Sequence, residues 1–267
     1  MLLQQNNLLN KQKIQKYINN INIIILNSVN STNQYMLDNL SKLKSGDICL
    51  AETQSEGRGR RGHKWFSPFG NIYFSIYWKF FLKNTITTIG LSLTIGVVIA
   101  EILNKKINKK IKLKWPNDLY INNKKLAGIL IESIKKNDNS LHTIIGIGIN
   151  IEKNKNNIKN KNFTNNNWTY LKEKIKNIER NELIANITQE IIKSIIIFEK
   201  NGLKPFINRW IILDKFFNKN INILTNNSIN SGIERGINNY GELLLENSYG
   251  KINSYINGKI FNTNKLL

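Results

Sequence analysis

The sequence predicts an α+β domain followed by a small all-β module. Strand-like and helix-like stretches alternate irregularly up to about residue 216, and a nearly all-apolar run of helix length, "TTIGLSLTIGVVIAEILNK", occupies residues 87–105. From about Asn218 the pattern changes to short strands broken by glycine-containing turns, "INILT", "SGIERGI", "GELLLEN" and "KINSYI", about the size of an SH3-like barrel. The expected organisation is an extension over residues 1–20, a main domain over 21–216 and a β module over 217–267.

The elements follow in order. Residues 1–20 read as a short polar helix or a frayed end, and "INIIIL" (21–26) as a strand by its β-branched content. Ser31 or Thr32 can cap a helix whose apolar positions Tyr35, Met36, Leu40 and Leu43 recur at helical spacing, with Gly46 ending it. "DICLAET" (47–53) is a strand, residues 54–68 have no apolar periodicity and read as a long loop, and "NIYFSIYWKF" (71–80) alternates as a strand. The apolar run is a helix crossing the domain core. "KIKLK" (110–114) is a strand, "WPND" a turn, and "LYINNKKLAGILIES" a hairpin about Asn122–Asn123. "HTIIGIGINI" (142–151) is a buried strand, 153–167 a low-complexity loop, and 179–200 and 205–214 are helices. No internal repeat is present.

At 267 residues with 41% hydrophobic content the chain can bury a large core. No apolar run suits a membrane span, and the N-terminus lacks the pattern of a secretory signal. The lone Cys49 excludes an intramolecular disulfide and suits a reducing compartment, and with His63 and His142 it is too little for a zinc cluster. The protein reads as cytoplasmic. Its formal charge of +21 comes from 39 Lys+Arg against 18 Asp+Glu. Such a balance suits nucleic acid, acidic proteins or phosphate ligands. Most of the lysines, however, are scattered among asparagines and isoleucines, as in "EKNKNNIKNKN", which points to compositional drift. Arg58, Arg60 and Arg61 are the exception, clustered in "GRGRRGHKW" (57–65).

That stretch satisfies G-x-G-x-x-G, but a dinucleotide turn needs its third glycine to open a helix and an acid about twenty residues later. Gly62 leads instead through His63, Lys64 and Trp65 to Pro68, and Leu82 and Lys83 stand near the acidic position. No G-x-x-x-x-G-K-[ST] occurs anywhere. A nucleic-acid arm is conceivable, although such arms are usually terminal and repeated. The remaining physical reading is a glycine-hinged loop, open when empty, whose arginine forks close over an anionic ligand.

Three further stretches bear on the choice: "STNQ" (31–34) at a strand-to-helix junction, "KWPNDLYINNKKLAGILIE" (114–132) and "IGIGIN" (145–150). Together with "QSEGRGRRGHKWFSPFGN", and in this order, they resemble the biotin–protein ligase family, the biotin–[acetyl-CoA-carboxylase] ligases. The resemblance runs from about Leu26 into the C-terminal module. It implies a class II aminoacyl-tRNA-synthetase-like mixed sheet followed by an SH3-like barrel. It also implies biotin and ATP as substrates, Mg²⁺, a biotinyl-5′-AMP intermediate and a carrier-domain lysine as acceptor.

The residues suit that chemistry. Ser31, Thr32, Asn33 and Gln54 offer neutral donors and acceptors for a ureido ring, and Gly128 and Ile129 an apolar slot. Attack of a carboxylate on an α-phosphate brings anions together, so positioning and positive charge must carry the catalysis. By resemblance Lys125 is the catalytic lysine, assisted by Arg60, while Arg58, Gly59, Arg60, Lys125 and Gly128 join the biotin-binding set. Arg58, Arg60, Arg61, Trp65, Asn117, Asp118, Asn150, Trp168 and Arg235 make up the expected adenylate set, with Asp118 the one weak metal candidate. Several have plainer readings: Ser31 or Thr32 as a helix cap, Asp118 as a turn residue, Trp115 as packing, Asn150 as structural, Trp65 and Trp168 as core. The expected partner is the biotin carboxyl carrier domain of acetyl-CoA carboxylase, with a homodimer allowed. Barely twenty residues precede the first strand, too few for the winged helix-turn-helix of bifunctional members, so no sequence-specific DNA binding is expected. The alternatives are a lipoate- or octanoate-type ligase of the same fold and a basic nucleic-acid-binding protein.

Overall fold

The computed structural model describes residues 8–18, 20–81, 88–107, 110–153, 167–175, 177–226 and 228–262. The low-complexity loop expected at 153–167 falls almost entirely outside them.

Seven strands form one mixed sheet in the order β1-β2-β3-β7-β6-β5-β4: β1 Ile23–Val29, β2 Ile48–Gln54, β3 Ile72–Phe81, β4 Ile111–Lys114, β5 Asp118–Ile121, β6 Lys124–Lys135 and β7 Ser140–Ile149. Only β1 and β2 pair in parallel, joined by the crossover helix α2 (Thr32–Asp38); the other neighbours are antiparallel. Ser31 is the N-cap of α2, its hydroxyl accepting from the Gln34 amide at 3.5 Å. The helix is shorter than its apolar spacing suggests. It stops at Asp38, a 3₁₀ turn spans Leu40–Lys42, and Gly46 (φ +98°) turns the chain into β2.

The apolar run forms α3 (Thr88–Asn104), and twelve of its residues are buried between the sheet and α4 (Arg180–Asn201). At roughly 1.5–3 kcal/mol per large apolar side chain, this helix is the main anchor of the core. A short α1 (Lys11–Gln15) buries Ile14 against α4. On the sheet's other face Met36 of α2 packs with Cys49, Tyr77 and Ile144; burial pushes the Cys49 thiol up to about 12, leaving it unreactive.

That second face opens into a cavity beyond α2. Along β7, Ile144 lies under α2, Gly146 under Asn33, and Gly148 under Trp65. A side chain at Gly146 would meet the Asn33 amide at 2.3 Å, and one at Gly148 the Trp65 indole at 2.5 Å. The glycines of "GIGIN" are therefore needed for close approach, here of two protein side chains.

The C-terminal strands β8 (Asn220–Leu224), β9 (Ile229–Ile237), β10 (Leu243–Glu246), β11 (Ile252–Tyr255) and β12 (Lys259–Asn262) form a five-stranded antiparallel sheet in the order β11-β10-β9-β8-β12. It joins the main sheet through α5 (Ile207–Leu213): Asp214 bridges to Leu113, and the Lys215 amide donates to the Leu113 carbonyl at 2.8 Å. Trp115, buried as its packing role requires, donates its indole N–H to the Gly241 carbonyl at 2.9 Å. At this junction the carboxyls of Asp214 and Glu234 are both buried and lie close enough to feel each other's charge. Burial holds both above the usual carboxylate range, and the neighbouring Asp214 raises Glu234 further, so Glu234 is the carboxyl that keeps its proton.

Candidate active site

A cavity of about 420 Å³ opens between the glycine–arginine loop, the β4–β5–β6 hairpins and the edge of the C-terminal sheet. It gathers most of the residues singled out in the sequence. Ser31, Thr32, Asn33 and Gln54 lie on its floor; Arg58, Gly59, Arg60, Arg61 and Trp65 come from the loop; Asn117, Asp118, Lys125 and Gly128 come from the hairpins; Trp168 closes one side.

Lys125 owes its placement to a local irregularity. Strands β5 and β6 pair Leu119 with Ala127 but Tyr120 with Lys125, so Leu126 is an extra, bulged residue. Regular alternation would put Lys125 and Gly128 on opposite faces; the bulge brings the Lys125 ammonium to 3.4 Å from where a Gly128 side chain would begin. The ammonium pairs with Asp118 Oδ1 at 2.6 Å and sits 5.1 Å above the Trp65 ring. The Lys125 backbone is clamped as well: its amide donates to Asn167 O at 2.7 Å, and its carbonyl accepts from the Thr169 amide at 3.0 Å. Lys124, one residue earlier, is exposed.

The floor is one connected hydrogen-bond chain. Asn33 Nδ2 donates to Glu132 Oε2 at 2.7 Å, and Asn33 Oδ1 accepts from Ser75 Oγ at 2.6 Å. Ser75 also reaches Thr32 Oγ1 (2.8 Å), and both the Thr32 amide and its hydroxyl donate to Gln54 Oε1 (2.9 and 3.2 Å). Gln54 Nε2 continues to Ser67 Oγ at 2.8 Å, which donates to the Trp65 carbonyl at 3.0 Å. Neutral amides and hydroxyls thus converge beside the indole, which stands edge-on to Trp168 with centroids 5.1 Å apart.

The loop is more ordered than its lack of periodicity predicts. Arg58 bridges to Lys64, Arg60–Gly62 form a 3₁₀ turn, and Arg61 takes φ +55°. One of the three arginines is already paired: Arg58 donates to Gln34 Oε1 and Glu132 Oε2, both at 2.8 Å. Burial and neighbouring Arg61 lower the Arg60 guanidinium from its ordinary value while Asp118 pulls it back up; an arginine remains charged at any physiological pH.

Several expected residues also make contacts within the protein. Asn117 lines the cavity, but its side chain donates to the Ile129 carbonyl at 2.9 Å and so fixes β6. Asn150 is buried outside the cavity wall, where its amide N–H groups reach the carbonyls of Leu126 and Lys125, the structural role open to it from sequence. Arg235 is not among the residues lining the cavity and is bound to Glu246 Oε2 (2.5 Å) and Asn218 Oδ1 (2.6 Å) within the C-terminal region. Asp118 is committed to Lys125, and among the described residues no group of three metal-ligating side chains occurs. Its donor set does not build a metal cage.

The C-terminal sheet contributes residues that sequence reasoning missed: Gly258, Lys259 and Ile260 line the cavity, and Asn257 accepts from Arg61 at 3.5 Å. Lys114 and Tyr120 also face it, the Lys114 ammonium 5.5 Å from the Tyr120 ring. Burial, then the nearby Lys125, Lys259 and Lys215, lower the Lys114 ammonium, with Asp118 opposing. One cavity-lining acid thus faces cations from the loop, the hairpin and the C-terminal sheet, an arrangement suited to a polyanion.

Residues 25–150 match the biotin/lipoate A/B protein ligase family. The bifunctional ligase/repressor BirA of Escherichia coli is 42% identical over 254 residues, covering 95% of this chain and 78% of that protein. The biotin–[acetyl-CoA-carboxylase] ligase of Paracoccus denitrificans is 30% identical over 48% of this chain and 53% of its own length. Among solved structures, the biotin protein ligase from Aquifex aeolicus in complex with biotin and ATP superposes with TM-score 0.75 at 27% identity, covering 90% of this chain and 97% of that one. The chain belongs to the biotin protein ligase family, and its mixed sheet with a small C-terminal β sheet is the fold of that family. No described helix is long and apolar enough to cross a membrane.

Proposed function

We propose that this chain attaches biotin to a specific lysine of the biotin carboxyl carrier domain of acetyl-CoA carboxylase, through biotinyl-5′-AMP, in the cytoplasm. The observation that carries this reading is the Lys125 ammonium, 2.6 Å from Asp118 and above the Trp65 ring, where a hydrogen-bonding floor meets a cationic wall.

In the first step a carboxylate oxygen of biotin forms a bond to the α-phosphorus of ATP, and the bond from that phosphorus to pyrophosphate breaks. Two anions must meet, so the required help is positive charge already in place. Lys125 can exchange Asp118 for the reacting oxygens, bridging carboxylate and α-phosphate, while Arg60 stands beside it to bind the adenylate. Thr32, Asn33 and Gln54 suit a neutral ureido group, and the Trp65 face an apolar chain. In the second step the acceptor amine attacks the acyl carbon and AMP leaves with the bonding electrons. Residues 57–65 shield the mixed anhydride from water until then. Asp118, once released by Lys125, is the cavity-lining carboxylate that would help hold Mg²⁺, which would supply positive charge at the nucleotide phosphates.

Biotin-dependent exchange of labelled pyrophosphate into ATP, followed by transfer of label to the carrier lysine, is the test. Exchange driven by lipoate or octanoate but not by biotin would overturn the assignment.

A further inference from the structure

We infer that Glu132 is a positioning residue that fastens the glycine–arginine loop and the polar floor into one unit, with Arg58 as its pin; the inference rests on the ligase reading for its substrate. Glu132 closes the stretch at 114–132 without a role assigned to it, and it is not among the residues lining the cavity. Its Oε2 nevertheless accepts two donors from different segments, Arg58 Nη2 at 2.8 Å and Asn33 Nδ2 at 2.7 Å. Asn33 is thereby turned one way only, with its N–H groups toward Glu132 and the Leu130 carbonyl and its oxygen toward Ser75. The other end of the floor chain holds the far side of the loop, through Gln54, Ser67 and the Trp65 carbonyl. Both ends of the loop are therefore tied to one run of hydrogen bonds, and Glu132 terminates it.

Electrostatics gives the reason an acid is needed there. Arg58, Arg60, Arg61 and Lys64 of the loop face Lys114, Lys125 and Lys259 across the cavity. Their mutual repulsion favours an open loop until an anionic ligand arrives. Asp118 neutralises Lys125, and Glu132 neutralises Arg58. Both Arg58 and Glu132 are about a third exposed or less, so their attraction is screened but not abolished. The Arg58 side chain thus serves as a structural pin, leaving Arg60 to meet the substrate.

Glu132→Gln keeps the shape and removes the charge; Arg58→Gln removes the other partner. Each single variant should raise the KM for biotin about tenfold, the factor expected from losing one charge-assisted hydrogen bond, with a much smaller change in KM for ATP and little in kcat. Trypsin should cut faster after Arg60, Arg61 and Lys64 in unliganded Glu132→Gln than in the wild type. The double variant should fall well short of the product of the two single effects, since both break the Arg58–Glu132 contact while Asn33 and Gln34 account for the remainder. An unchanged biotin KM and cleavage rate in Glu132→Gln, or single effects that multiply in the double variant, would overturn the inference. Should Glu132→Gln fail to fold, Arg58→Gln and Arg58→Lys carry the same test, with the lysine variant expected to recover part of the loss. If the wild type shows no biotin-dependent exchange, the ligase reading fails, whereas the proteolysis series still decides the role of Glu132.

Discussion

Two segments face the same cavity with basic side chains, yet different forces hold them. The hairpin that presents Lys114, Asp118 and Lys125 is built from strand pairing, a bulge and backbone clamps from residues 167–169. The loop that presents Arg58, Arg60 and Arg61 has few ladder bonds and depends on side chains of Gln34, Glu132 and Asn257 far along the chain. The proposed reactive lysine needs a fixed address and the proposed lid must release; the backbone suits the first, and one ion pair with a few side-chain hydrogen bonds suits the second.

The largest effect should separate the adjacent lysines of the hairpin. Lys125→Ala should lower adenylate formation by two to three orders of magnitude, roughly 3–4 kcal/mol, as for loss of a contact to developing negative charge. Lys124→Ala should change little, since that side chain is exposed. Equal defects in pyrophosphate exchange would remove Lys125 from its role.

Packing between the two segments comes next. Gly148→Ala would drive a methyl group into Trp65, at 2.5 Å before relaxation, and displace the loop from the sheet. A loss of about 1–3 kcal/mol in biotin affinity by calorimetry is expected from such overpacking. Undiminished affinity would mean that the indole is free to move.

Arg60→Gly leaves the pin in place and removes a cavity-lining guanidinium that feels the charge of Asp118. Adenylate should escape roughly tenfold faster, the size of one lost charge-assisted hydrogen bond; its retention on a desalting column measures this. Retention equal to the wild type would shift the role to a neighbouring cation.

The smallest effect belongs to a region outside the comparison and serves as its control. The raised carboxyl pKa of Glu234 favours the folded state at low pH, and that contribution is lost as pH rises from the ordinary carboxylate range toward the folded value. Lys112 and Lys219, near the pair, soften the effect. Glu234→Gln should therefore flatten the stability profile and add about 1 kcal/mol at pH 8, with adenylate formation unchanged. A parallel profile in urea unfolding at pH 5 and pH 8 would show that the acid pair carries no such cost.

Much of this protein was legible in the sequence because it depends on local pattern. The apolar run had to be a buried helix, Ser31 or Thr32 a cap, residues 122–123 a turn, and the C-terminal stretches a second sheet. The ordered recurrence of S-T-N, G-R-G-R-R-G, K-W-P-N-D and K-L-A-G identified the family, which the relatives bear out. Only the tertiary structure decided which face Lys125 takes, because one bulged residue reverses the alternation on which sequence reading relies. It also decided that Arg58 is spent on Glu132, 74 residues away, and that Lys259 of the second sheet reaches the cavity while Arg235 does not. Periodicity reports a side chain's relation to its own strand or helix. Charge pairing across the fold depends on where distant strands come to rest, and no local window contains that distance.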